Sequence, residues 1–99
     1  MKKNKKIAII GLGYVGLPLA VEFAKHFPVT GYDIKKNRVV ELNKGIDSTF
    51  EVETKSLKKV LTDKNKSVGL FLTNDSKLIN DSNIYIITVP TPIDSNNNP

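Results

Sequence analysis

Three glycines with fixed spacing follow the first apolar run of the chain. Gly11, Gly13 and Gly16 form a G-x-G-x-x-G pattern directly after the β-branched run Lys6–Ile10, and apolar residues with helical spacing come next. The run predicts a buried parallel strand, and the spacing predicts a helix over Tyr14–His26. A strand, a tight turn and a helix in this order form the first half of a βαβ unit. The pattern therefore favours folds built on a parallel sheet.

The rest of the chain continues this alternation. We predict three more strands, the last of them buried on both faces, and three more helices: Val29–Tyr32, Val68–Thr73 and Ile84–Val89 as strands, and Lys35–Lys44, Glu53–Asn65 and Asn74–Asp81 as helices. In the second helix, Val39, Leu42 and Ile46 are expected on one narrow face, and Gly45 is expected to end the helix. The fold class is α/β, a Rossmann-like open parallel sheet with helices on both faces.

Length and composition limit the size and chemistry of the domain. Ninety-nine residues make one domain at most, with a basic lead-in over 1–5 and a loop over 94–99 where the sheet is left without a closing element. We therefore expect a truncated cofactor domain rather than a complete two-domain enzyme. The absence of cysteine excludes a disulfide scaffold, a Cys-ligated metal and a thiol nucleophile within these residues. No catalytic or metal-binding residue is predicted in the chain.

The charge balance leaves room for a phosphate-bearing partner. The net charge is +5, from 15 basic and 10 acidic side chains, but only one basic residue is Arg and the seven aromatic residues are dispersed. Proteins that read nucleic acid rely on Arg for bidentate contacts and on aromatic rings for stacking. We predict no nucleic-acid partner.

The N-terminus imitates a secretory signal. Basic residues over Met1–Lys6 precede the apolar stretch Ile7–Val21, but glycines and Pro18 interrupt this stretch and no clear cleavage site follows. No run reaches the roughly 18 apolar residues that a membrane span needs. We expect a cytoplasmic protein without a membrane partner, with the lysines as a solvated lead-in to the first strand.

The position of Asp33, together with the glycine pattern, predicts a ligand. It lies 20 residues after Gly13, at the end of the second predicted strand, as the dinucleotide-binding pattern requires. Gly11 permits the tight turn, Gly13 allows a pyrophosphate to approach the backbone, and Gly16 allows close packing of helix and strand. The pyrophosphate is then expected on the backbone N–H groups that open the helix, those of Tyr14 and Val15.

Asp33 also predicts which dinucleotide binds. A carboxylate there accepts hydrogen bonds from ribose hydroxyls and repels a 2′-phosphate, so NAD is favoured over NADP. The cations that follow, Lys35, Lys36 and Arg38, can weaken this preference. The alternative interpretation is a plain turn between strand and helix, with Asp33 as a helix cap.

A second candidate segment follows the fourth predicted strand. Thr88–Pro92 lies at the carboxyl end of that strand, where open α/β sheets bind ligands, and the Thr91 hydroxyl can reach a ribose or a nicotinamide amide. The alternative is a rigid, proline-stiffened loop. The only histidine, His26, lies near a predicted helix C-terminus and is read as structural.

Three segments resemble a known family. Ile7–Ala20, Gly31–Ile34 and Thr88–Ile93 are similar to the N-terminal domain of the UDP-glucose/GDP-mannose dehydrogenases, over nearly the whole chain. Asp47–Glu51, together with Pro90–Ile93, is most similar to the branch that oxidises UDP-N-acetylhexosamines for surface polysaccharides.

The resemblance implies an NAD-dependent oxidation of a sugar C6 alcohol to a carboxylate, through a thiohemiacetal on a cysteine. It implies that the glycines, Tyr14 and Val15 hold the pyrophosphate and that Asp33 holds the adenosine ribose. Arg38 would lie at the adenosine side and Thr91 near the nicotinamide half. The family's cysteine, lysine and most of its sugar-nucleotide pocket match no residue here, so these residues alone would not catalyse. The full-length protein is expected to be a homo-oligomer.

Two other functions remain open at this point. One is a stand-alone NAD-sensing regulatory module, and the other is the cofactor domain of another NAD-dependent dehydrogenase. A downstream glycine-flanked cysteine in the gene would favour the enzyme, and a stop codon shortly after Pro99 would favour the sensor.

Overall fold

A computed structural model describes residues 5–48, 52–63 and 67–88. Within these ranges the chain alternates strands and helices, in the order β1 (Ile7–Ile10), α1 (Gly16–Ala24), β2 (Pro28–Tyr32), α2 (Lys36–Asn43), α3 (Thr54–Val60), β3 (Gly69–Thr73), a 3-10 helix (Ser76–Ile79) and β4 (Ile84–Ile87). Thr91 and the rest of the segment after Thr88 lie outside the described residues.

The four strands form one parallel sheet with the order β3-β2-β1-β4. Ile9 in the middle of β1 lies beside Gly31 on one side and Ile86 on the other. The chain therefore moves outward from β1 to β3 and then returns to the opposite side of β1. This order places the carboxyl ends of β1 and β4 next to each other, at the point where the strand order reverses. The α/β parallel sheet predicted from the sequence is confirmed.

The three α-helices and one face of the sheet share a single apolar core. Its fully buried side chains come from every layer: Ile9, Leu17, Leu42, Leu57 and Leu70. In α1 the buried side is formed by Leu17, Ala20, Val21 and Ala24. In addition to the sheet, α3 packs against this helix.

The short 3-10 helix lies on the opposite face of the sheet. Its buried residue Ile79 is outside the main core, and the Ile79 carbonyl accepts a hydrogen bond of 2.7 Å from the Tyr85 hydroxyl. Tyr85 alternates along β4 with Ile84 and Ile86, which pack against the core. The helix is capped by the Asp75 carboxylate, which accepts from the Lys77 N–H. Helical segments therefore lie on both faces of the sheet.

Three details of the sequence prediction are wrong. β4 is not buried on both faces: it is an edge strand of the described sheet, and Ile87 is 67% exposed. α3 ends at Val60, because Leu61 is extended and pairs with Leu70 of β3. Ile46 is exposed, because α2 ends at Asn43 and Gly45 adopts a positive φ of 82° that turns the chain away.

No helix among the described residues is long and apolar enough to cross a membrane.

Candidate functional site

The glycine loop, residues Gly11–Gly16, connects β1 to α1 at the carboxyl edge of the sheet. Gly11 has a φ of 102°, which residues with a Cβ rarely adopt, and its N–H donates to the Tyr32 carbonyl at 2.8 Å. A Cβ on Gly16 would overlap the Gly11 carbonyl oxygen and the Thr88 hydroxyl. The turn and the close packing predicted for these two glycines are therefore present.

The N-terminus of α1 has no cap of its own. No side chain caps the helix at Val15, and the first turn contains no acidic residue. The N–H groups of Tyr14 and Val15 have no acceptor among the described residues, and the first bond into the helix runs from Leu17 N to Gly13 O. Free amides at the positive end of a helix dipole form an anion site.

The described residues leave open space beside Gly13, which precedes this helix end. A Cβ built on Gly13 would meet no atom within 4 Å, whereas one on Gly16 would clash. Packing among the described residues therefore does not require a glycine at position 13. Its place in the loop fits the close approach of a diphosphate to the backbone, which a side chain would obstruct.

Asp33 lies beside the loop and is oriented by two backbone amides. Its Oδ2 atom accepts from Leu12 N and its Oδ1 atom accepts from Lys35 N, both at 2.9 Å. Each carboxylate oxygen retains a second lone-pair site for a ribose hydroxyl. Asp33 is not the N-cap of α2, because that position is Lys35. The arrangement fits a ribose-binding carboxylate at the predicted place.

Arg38 is less exposed than its predicted place beside the adenosine suggests. Its side chain is only 11% exposed, and its Nε atom donates to the Leu12 carbonyl at 2.7 Å. Its Nη1 atom donates to Glu41 at 2.8 Å and to Asp47 at 2.9 Å. The buried Nη2 atom has no acceptor among the described residues. Arg38 is therefore joined to the loop through the Leu12 carbonyl.

Glu41 is held in its charged form by the chain that follows α2. Its Oε2 atom accepts from Ser48 N at 2.8 Å and from Arg38. The backbone N–H and then the side chain of Ser48, followed by the Arg38 guanidinium, hold the pKa of this carboxyl below its usual value, although partial burial opposes the effect.

Several contributors to the site were missed at the sequence level. Leu12 and Thr88 were quoted only as parts of motifs, yet Leu12 contacts both Asp33 and Arg38. Thr88 donates its hydroxyl to the Gly11 carbonyl at 2.8 Å and so ties the end of β4 to the loop. Asp47 is a buried carboxylate that was noticed only through the family resemblance. The sequence signal for polar contributors such as Thr88 and Asp47 is a polar residue that lies close in the sequence to the end of a buried strand or helix.

The described residues contain no cluster of His, Asp or Glu that could hold a metal ion. His26 is exposed at the far end of α1 and has an edge contact with Phe27. It lies at the opposite end of the helix from the glycine loop.

Comparison with known proteins identifies relatives with similar sequence and fold. A family model described as the NAD-binding domain of the UDP-glucose/GDP-mannose dehydrogenase family matches residues 5–99. A UDP-N-acetyl-D-glucosamine 6-dehydrogenase of Pseudomonas aeruginosa is 46% identical over 97 residues, which are 98% of this chain and 21% of that protein. One of Salmonella typhi is 47% identical over 94 residues, which are 95% of this chain and 20% of that protein.

A solved structure, the UDP-D-ManNAc dehydrogenase of Pyrococcus horikoshii, matches with a TM-score of 0.70 and 31% identity, over 93% of this chain and 22% of that one. A ternary complex of GDP-mannose dehydrogenase from Pseudomonas aeruginosa gives a TM-score of 0.67 at 26% identity, over 93% of this chain and 21% of that one. The present chain thus spans about a fifth of the length of the curated relatives.

Proposed function

Because the chain belongs to the NAD-binding domain of the UDP-glucose/GDP-mannose dehydrogenase family, we propose that it is the cofactor lobe of a nucleotide-sugar 6-dehydrogenase. NAD is the cofactor that the glycine spacing and Asp33 predicted. Bound NAD supplies a hydride acceptor for alcohol oxidation. The described residues have the separate task of binding and orienting the dinucleotide.

One observation carries the proposed site: the uncapped N-terminus of α1 directly follows Gly13, beside which the described residues leave open space. The amides of Tyr14 and Val15 would bind the diphosphate, with Gly11 and Gly16 fixing the turn that presents them. The negative charge of the diphosphate also matches the positive end of the helix dipole. A bound diphosphate would replace the water that otherwise solvates these exposed amides.

Asp33 would hold the adenosine end of the cofactor. Its carboxylate, oriented by Leu12 N and Lys35 N, accepts from the ribose hydroxyls and repels a 2′-phosphate. Arg38, whose Nε atom donates to the Leu12 carbonyl, is proposed to support the adenosine side of the loop. Thr91, outside the described residues, is proposed for the nicotinamide half.

The substrate proposal rests on the relatives. Two of them carry the name UDP-N-acetyl-D-glucosamine 6-dehydrogenase, at 46% and 47% identity. We propose a UDP-N-acetylhexosamine that is oxidised at C6 to a uronic acid for polysaccharide biosynthesis, by a cytoplasmic homo-oligomer without nucleic-acid or membrane partners. The chain contains no cysteine. A thiol for the second oxidation step would therefore come from other residues of a longer protein.

The experiment is a substrate screen with the longer protein that carries this domain. UDP-N-acetylglucosamine, UDP-N-acetylgalactosamine, UDP-glucose and GDP-mannose are each supplied with NAD, and NADH is followed by its absorbance. We expect turnover with a UDP-N-acetylhexosamine, with two NADH formed for each sugar. Turnover only with UDP-glucose or GDP-mannose would contradict the substrate class. Turnover with none of the four would contradict the enzyme.

A further inference from the structure

Asp47 is a buried carboxylate outside the dinucleotide pattern. Its side chain is fully buried, and it follows α2 rather than any strand of the sheet. It accepts from Arg38 Nη1 at 2.9 Å and from Val52 N at 3.0 Å. A buried charge is costly unless it is paired and hydrogen-bonded, so this carboxylate needs Arg38 in place.

Arg38 transmits the constraint from Asp47 to the glycine loop. Its guanidinium is planar, so fixing Nη1 on Asp47 also fixes the direction of Nε. That Nε atom donates to the Leu12 carbonyl at 2.7 Å, the shortest bond that Arg38 makes among the described residues. Glu41 shares Nη1, but it is a partly exposed side chain on the same helix. Asp47 is the partner that comes from a different segment.

The Leu12 backbone is held from both sides. Its N–H donates to Asp33 and its carbonyl accepts from Arg38, while its side chain is fully buried against β2 at Gly31. The Leu12 carbonyl shares a planar peptide with the Gly13 N–H, and in a trans peptide the two point in opposite directions. Holding the carbonyl on Arg38 therefore aims the Gly13 N–H away from the guanidinium and fixes the start of the turn.

We propose that Asp47 is a positioning residue for the glycine loop. It holds Arg38 against the Leu12 carbonyl, and this contact sets the Leu12–Gly13 peptide plane before a diphosphate arrives. The inference rests on the proposed function in one respect, the identity of the anion that the loop receives. Amides that are already oriented lose less conformational entropy when a ligand binds. The Asp47–Arg38 pair would therefore increase the affinity for the diphosphate without touching it.

The test compares Asp47→Asn, Arg38→Gln and the double variant with a matched control, Glu22→Gln. Glu22 is an exposed carboxylate with a surface ion pair to Lys25, away from the loop. The first measurement is NMR of the ligand-free chain, which follows the Gly13 amide shift and the exchange of the Leu12 amide. We expect both quantities to change in Asp47→Asn. They should change no further in the double variant than in Arg38→Gln, and they should stay unchanged in the control.

The second measurement separates loop geometry from adenosine contacts. ADP-ribose contains the diphosphate, whereas AMP lacks it. We expect Asp47→Asn to weaken ADP-ribose about tenfold and AMP by less than about twofold. Should Asp47→Asn not fold, Arg38→Lys retains the charge beside Asp47 but cannot span both acceptors, and it should produce the same Gly13 shift.

Three results would overturn the proposal: an unmoved Gly13 amide in the folded variants, equal losses for AMP and ADP-ribose, or additive effects in the double variant. The experiments can contradict the role of Asp47 and the proposed function independently of each other. If the unmodified chain bound neither NAD nor ADP-ribose, the proposed function would be contradicted, and the amide measurements would still decide the role of Asp47.

Discussion

The Oδ2 atom of Asp33 accepts a hydrogen bond from the backbone N–H of Leu12 at 2.9 Å. This bond joins the end of β2 to the loop that follows β1, across 21 residues of sequence. The carboxylate proposed for the adenosine ribose is thus also part of the loop proposed for the diphosphate. Substitutions at Asp33 should therefore affect both ends of the dinucleotide site.

We predict that Asp33→Asn weakens NAD binding by about 1–3 kcal/mol. Asparagine replaces one carboxylate oxygen with an NH2 group that cannot accept a hydrogen bond, so the bond from Leu12 N or from Lys35 N is lost, together with the charge that strengthens a bond to a ribose hydroxyl. The discrimination against NADP should also decrease, because the repulsion of the 2′-phosphate is removed. Calorimetric titration of both dinucleotides measures these effects. Unchanged NAD affinity would remove Asp33 from the site.

Gly13→Ala should preserve folding and impair binding. A Cβ at Gly13 meets no atom of the described protein, and the residue does not have a positive φ. The free energy of unfolding should therefore stay within about 0.5 kcal/mol of the unmodified chain. NAD affinity should nevertheless fall at least about tenfold, because the methyl group occupies the space for the diphosphate. Normal NAD affinity in a folded Gly13→Ala chain would contradict this placement.

Gly16→Ala is the matched counterpart and, unlike Gly13→Ala, should lower the stability of the fold. Here a Cβ would overlap the backbone carbonyl of Gly11 and the side-chain hydroxyl of Thr88. Overpacking of this kind costs about 1–3 kcal/mol, so the midpoint of urea unfolding should be clearly lower. A chain as stable as the unmodified one would show that α1 does not pack this closely on the loop.

Glu41→Gln should destabilise the chain near neutral pH but not in acid. The folded-state pKa of Glu41 is lowered, chiefly by the N–H and the side chain of Ser48 and then by Arg38. Such a group stabilises the fold above its unfolded pKa, and the contribution disappears as the pH falls through the lower folded value. Since the side chain is 28% exposed, the loss at pH 7 should be under about 1 kcal/mol.

The measurement is urea unfolding of both chains over a series of pH values. The difference between Glu41→Gln and the unmodified chain should be constant above the unfolded pKa and should shrink below it. Using the difference removes the titration of other carboxylates from the comparison. A difference that persists unchanged in strong acid would assign the effect to something other than ionisation.

Local features of the site were predictable from sequence. The positive φ of Gly11, the tight packing of Gly16 and the position of Asp33 follow from a pattern whose spacing is set by strand, turn and helix geometry. The C-terminal glycine of α2 was predictable for the same reason. Gly45 N donates to Leu42 O and Ile46 N donates to Glu41 O, which is the bonding expected for a left-handed glycine there.

The contacts that depend on tertiary neighbours were not predictable. The family resemblance implies that Arg38 lies at the adenosine side, but the burial of Arg38 depends on Asp47, and no local rule places that carboxylate beside it. The exposure of Ile87 depends on which strand occupies the sheet edge, and a short apolar run gives no information on that. The end of α3 was missed because Leu61 pairs with Leu70, so sheet pairing overrides helical spacing.

The most direct test of the proposed site is an NMR titration of the isotopically labelled chain with NAD. If the amides at the start of α1 bind the diphosphate, saturable shift changes should concentrate on Gly13, Tyr14, Val15 and Gly16, with a second group at Asp33. The same titration with NADP should require a higher concentration. Saturable binding that leaves these amides unmoved, or no saturable binding at all, would contradict the account.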